Sequence, residues 1–80
     1  MPLYEYPRFK GPEIVVDDQQ RVRIKCSYED RARLENSPYA GSIYFMFSSI
    51  DFVGLGVDQC NDRLLMWLQL YLGVKEIKRW

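Results

Sequence analysis

From Arg21 to Tyr28 the chain alternates without a break. Val22, Ile24, Cys26 and Tyr28 fall on one side of an extended backbone, and Arg21, Arg23, Lys25 and Ser27 fall on the other. A segment patterned this way is a β-strand with one dry face and one wet face, and the dry face has to be covered by another layer. The fold therefore contains a sheet and something apolar laid against it.

The neighbours of this strand extend the sheet. Glu13–Val16 is a short apolar run, and Asp17-Asp18-Gln19-Gln20 separates it from the alternating segment, which predicts an antiparallel hairpin with a four-residue turn. Ser42–Ile50 is apolar on both alternating faces at its start, the pattern of a central strand covered on both sides. Asp51–Val57 holds Gly54 and Gly56 and is expected to turn the chain over. The covering layer comes from residues 58–72. Asp58 or Asn61 can cap the first amides, Asp62 lies at the positive end of the dipole, and Gly73 suits the left-handed residue that ends a helix. Val74–Trp80 can return as a short strand. Glu29–Asn36 reads either as one or two helical turns capped by Ser27, with Asp30 three residues on, or as a bare loop. Residues 1–12, punctuated by Pro2, Pro7 and Pro12, form an extended arm or an edge strand. The expected class is α+β: a small antiparallel sheet of three to four strands packed by one main C-terminal helix, in the order β-β-(short α or loop)-β-α-β.

Eighty residues make one domain at most, and the twelve aromatic residues among them supply a core without the help of a metal. Eleven basic residues balance eleven acidic ones, so the whole molecule has neither the basic excess of a nucleic-acid binder nor the acidic excess of a nucleic-acid mimic. Near-zero net charge favours self-association. The first ten residues are polar and hold two prolines, unlike a secretory signal, and the longest apolar run, Leu64–Leu72, is far too short to span a bilayer. The expected location is the cytoplasm, where Cys26 and Cys60 stay reduced.

The chemistry is bounded mainly by what is missing. The chain has no histidine, which removes the usual general base, the usual metal ligand and every triad built on imidazole. Two isolated cysteines are too few for a structural zinc site. Gly54-Leu55-Gly56 lacks the third glycine of a dinucleotide fingerprint. Asp58 with Asp62, and Asp17 with Asp18, are the remaining paired carboxylates. Helix capping and turn formation account for both pairs. No enzyme activity, cofactor or metal is expected.

Two surfaces can carry binding. Between Arg63 and Leu72 only Arg63 and Gln69 are polar. At 100° per residue, Leu64, Leu65, Leu68, Tyr71 and Leu72 fill the arc that faces a sheet, leaving Met66, Trp67 and Leu70 beside it, around Arg63. Either the termini fold over these residues, or Arg63, Met66, Trp67 and Leu70 form a contact patch for a protein partner or a second copy. The second surface is the stripe Arg21, Arg23 and Lys25, which with Lys75, Lys78, Arg79 and Trp80 could meet phosphates and stack a base. Its simpler role is to keep a strand face charged and solvated.

Two short stretches resemble parts of known families. Met1-Pro2-Leu3-Tyr4-Glu5-Tyr6 resembles the opening of small zinc-ribbon regulatory proteins, but no paired cysteines follow. Gly41, Tyr44 and Phe47 sit at offsets similar to those of the RNA-recognition motif, but Ala40 and Ser42 depart from it and a hairpin precedes any helix. Neither assigns a family. The leading expectation is a small non-catalytic protein-binding module, an inhibitor or accessory protein of phage or mobile-element type that occupies a partner's surface. The alternatives are an obligate homo-oligomeric structural protein and a nucleic-acid binder using the basic stripe.

Overall fold

A computed structural model describes residues 9–58 and 61–79. The elements run β1 (Glu13–Val16), β2 (Val22–Cys26), α1 (Tyr28–Glu35), a 3₁₀ turn at Ala40–Ser42, β3 (Ile43–Ser48), β4 (Val53–Val57), α2 (Asp62–Leu72) and β5 (Lys78–Arg79). The class is α+β, as the patterning requires. The sheet is larger than expected and mixed: five strands in the order β3-β4-β2-β1-β5, antiparallel throughout except where β5 runs parallel to β1.

The β1–β2 hairpin forms where the pattern put it, with Val16 opposite Val22. Asp17 organises its turn. One carboxylate oxygen accepts from the amides of Gln19 and Arg21, both at 2.9 Å, and Gln20 takes a left-handed φ of 63°. Asp17 is buried, and these amide bonds offset its desolvation. Directly after β2, Ser27 caps α1 by accepting from the Asp30 amide at 3.1 Å, which resolves the helix-or-loop alternative in favour of a helix.

Residues 51–57 are the main correction to the expected order. Beyond a short bend at Ser49–Phe52, they form a buried inner strand, β4, flanked by β3 and β2. Val53, Leu55 and Val57 join the core on one side, while Gly54 and Gly56 lie on the other. Their missing side chains leave room for rings from β3. Tyr44 pairs with Gly56 and Phe47 pairs with Gly54, and each ring lies across the glycine of its partner. A methyl group at Gly54 would lie 2.7 Å from Cδ1 of Phe47, and one at Gly56 2.6 Å from Cε2 of Tyr44. The glycines are strand residues whose space is filled from next door.

The same arrangement displaces β3. Its apolar run predicts a central strand, yet β3 is one of the two sheet edges, and every residue from Tyr44 to Ser48 is exposed. A bulge at Met46 shifts the register between Phe45 and Phe47. The Tyr28 hydroxyl donates to the Ser49 carbonyl, tying the end of this edge to the start of α1.

α2 begins at Asp62, later than the expected Asp58. Asn61 is the cap, accepting from the Leu64 amide at 2.9 Å, and Gly73 closes the helix at φ 71° with the Val74 amide reaching back to the Gln69 carbonyl. Leu64, Leu68 and Leu72 are buried at a spacing of four, and Leu65 and Tyr71 pack at their margins. Both helices cover one sheet face, where Leu34 of α1 and the three α2 leucines meet Ile14, Ile24, Cys26 and Leu55. Among the described residues no helix covers the opposite face. Phe9–Pro12 enter β1 outside any strand, and the rest of the expected N-terminal arm lies outside the described residues.

Candidate binding surface

The two edges of the sheet differ in kind. β5 is two residues long, and both are cations, Lys78 and Arg79. β3 is six residues long, and no charged residue lies anywhere between Glu35 and Asp51. A sheet edge presents unpaired amides and carbonyls to any other strand, and proteins guard such edges with short length, lysine or arginine. The β5 edge is short and cationic, whereas β3 is long and uncharged and is guarded only by its bulge at Met46.

The backbone polarity of β3 follows from its ends. Ser42 accepts from the Asp58 amide at 2.7 Å and Ser49 donates to the Phe52 carbonyl at 2.8 Å. Antiparallel pairs alternate between bonded and unbonded, so the bulged ladder leaves the peptide groups of Ile43, Phe45 and Ser48 facing away from β4. The side chains beside them are apolar and open: Phe45 is 51% exposed, and Ile50, just past the strand, is 89% exposed. Phe45 packs on the helix side, under the Arg31 guanidinium at 5.0 Å, and the Arg31 charge is met by Glu35 at 3.0 Å.

The open face of the sheet adds a groove of about 380 Å³ whose lining includes Val15, Arg23, Lys25, Met46, Phe47 and Lys78. Its cations are already engaged. Arg23 lies 3.7 Å from the Asp17 carboxylate, Lys25 sits 5.6 Å over the Phe52 ring, and Lys78 bonds Glu13 at 2.9 Å. The Lys78 ammonium holds the Glu13 carboxyl below the usual range, against the opposing effect of its partial burial. Of the basic stripe, the structure thus gathers Arg23, Lys25 and Lys78 on one face. Arg21, Lys75 and Arg79 are exposed, and Trp80 lies outside the described residues.

On α2, Met66 and Leu70 stand one turn apart and are 65% and 79% exposed, with Arg63 also exposed. Trp67 is separated from them. It is half-buried, stacked on Tyr71 at 4.6 Å between ring centres and tilted against Tyr39 at 4.9 Å. The expected four-residue patch is therefore an apolar pair with Arg63 nearby, while Trp67 braces the helix against the turn before β3. Sequence reasoning missed the larger apolar surface on β3. The available signal was Val53-Gly54-Leu55-Gly56-Val57, which alternates like a strand with one bare face.

Among the described residues, no set of three or more acidic or cysteine side chains gathers as a metal site. Asp17 is engaged by backbone amides. The Cys26 thiol is pushed up to about 11 by burial and by the nearby Asp30 charge, the opposite of an activated nucleophile. Cys60 lies outside the described residues. No helix among the described residues is long and apolar enough to cross a membrane. No family model, curated protein or solved structure matches the chain.

Proposed function

We propose that this chain is a non-catalytic protein-binding module, of an inhibitory or accessory kind, that takes a protein strand along the β3 edge. One observation carries the reading: the long edge of the sheet has no charged residue and exposes Tyr44, Phe45, Met46 and Phe47 beside outward-facing peptide groups. Strand addition to such an edge draws affinity from main-chain hydrogen bonds and specificity from the flanking side chains. Arg63, Met66 and Leu70 offer a smaller secondary contact on the far side of α2.

Two variants, one with a photo-crosslinking amino acid at position 45 and one with it at position 70, test the assignment in the native cell. An adduct from position 45 supports the reading. Adducts from position 70 alone transfer the interface to α2 and overturn it.

A second reading is favoured by the rings of Tyr44 and Phe47, which lie over Gly56 and Gly54, the strand neighbours of Arg23 and Lys25, an aromatic and basic pairing that a stacking platform for single-stranded nucleic acid also uses. It predicts binding to an oligonucleotide that falls steeply with salt, and no binding at low salt ends it.

A further inference from the structure

We propose that the occupant of the β3 edge is β3 of a second copy, paired antiparallel about a two-fold axis so that two five-stranded sheets become one. This rests on the reading of β3 as the contact edge and names its partner.

Charge is the first argument. Heterologous partners are selected by complementary charge, and the stretch between Glu35 and Asp51 presents none. A copy of the same strand meets no repulsion, and the molecule as a whole carries no net charge to keep copies apart.

Closure is the second. A sheet with two open edges pairs without end. Here the far edge is the two-cation β5, so pairing at β3 uses up the one permissive edge and stops at two copies. The bulge at Met46 works against pairing along the whole strand, because it twists the edge, and it confines a second β3 to few registers.

Area is the third. A half-exposed aromatic of 150–250 Å² leaves roughly 100 Å² to cover. Tyr44, Phe45 and Phe47, with Met46 and Ile50, thus offer at most on the order of 500 Å² per copy. Two copies bury at most about 1,000 Å², the lower bound for a specific interface, so the dimer should be reversible and concentration-dependent.

Sedimentation velocity across a micromolar concentration series tests this with the full chain. The mass should rise from 9.6 kDa towards twice that value. Met46→Lys should weaken association on the order of tenfold or more by placing a charged ammonium from each copy in the apolar, uncharged seam, and Ser48→Pro should weaken it by deleting an outward amide. Leu70→Lys, on the exposed face of α2, should leave association unchanged. Circular dichroism confirms that each variant is folded, and either β3 variant suffices if the other is not. A monomer at every concentration overturns the proposal, as does growth beyond two copies or a dimer broken by Leu70→Lys and spared by the β3 variants. If the purified chain stays monomeric while position 45 crosslinks to a different protein, self-pairing falls and the contact-edge reading stands. If the purified chain stays monomeric and position 45 yields nothing at all, both fall.

Discussion

Replacing Gly54 with alanine tests how β3 and β4 are fitted together. The new methyl group would overlap the Phe47 ring, which lies across the glycine and is the far end of a mobile side chain, so the ring has to swing off the strand. Phe47 is 43% exposed. For a ring residue with roughly 200 Å² of surface, about 110 Å² is then covered, worth about 3 kcal/mol at 25 cal/mol per Å² if all of it is lost. A displaced ring that keeps its edge contact with Phe52 loses roughly half of that. Alanine is favoured over glycine in extended backbone by about 0.5–1 kcal/mol, leaving a net destabilisation of about 1 kcal/mol, and up to about 2 if the ring loses all contact. In a Phe47→Ala background the obstacle is gone, and the same substitution should stabilise by up to about 0.5–1 kcal/mol. The sign of the effect therefore reverses between backgrounds. Urea unfolding of the four proteins, followed by circular dichroism, gives the cycle. An equal cost in both backgrounds would refute the seating of the ring on Gly54, and so would stabilisation of the otherwise unchanged protein.

Three further substitutions probe other joints. Asp17→Ala removes the acceptor for two amides in the hairpin turn and should cost about 2–3 kcal/mol in urea unfolding, with Asp17→Asn milder. Asn61→Ala leaves the Leu64 amide without its cap and should cost about 1 kcal/mol, read as lower helicity and a lower unfolding midpoint. Cys26 makes stability depend on alkaline pH. An unfolded thiol ionises near 9.0 and the folded one only near 11, so between them the folded chain keeps a proton that the unfolded chain has lost. Stability falls as pH rises through that window, by as much as about 2–3 kcal/mol at its upper end. The difference between this chain and Cys26→Ala, in which Cys60 is common to both, should shrink accordingly between pH 9 and 11. Parallel profiles would show that Cys26 is not responsible.

The parts of the fold that could be read from sequence are those in which local patterning and tertiary packing agree. The β1–β2 hairpin has its alternation and its turn acid, and α2 has its leucine spacing and its terminal glycine, so each is specified by its own residues. β4 is specified by a neighbour. Gly54 and Gly56 mark a turn when read alone and mark a strand only once Tyr44 and Phe47 are known to lie over them. The same coupling hid the nature of β3: side chains apolar on both faces suggested burial on both faces, whereas one face of the strand rests on bare backbone and the other meets the rim of α1. For the binding surface, the exposure of Met66 and Leu70 follows from helical geometry. The withdrawal of Trp67 does not, because besides Tyr71 one turn along the same helix it depends on Tyr39, which arrives from the turn before β3.

The parallel pairing of β5 with β1 has a practical consequence for experiments on this chain. It sets Val15 opposite Lys78 and Val16 opposite Arg79, so positions 63 residues apart in sequence become strand neighbours at one side of the sheet. With strands spaced about 4.8 Å, β3 stands roughly 19 Å away across the sheet. A surface anchor attached at position 79 would therefore hold the β5 side of the sheet to the surface and leave β3 on the side turned towards the bulk solution.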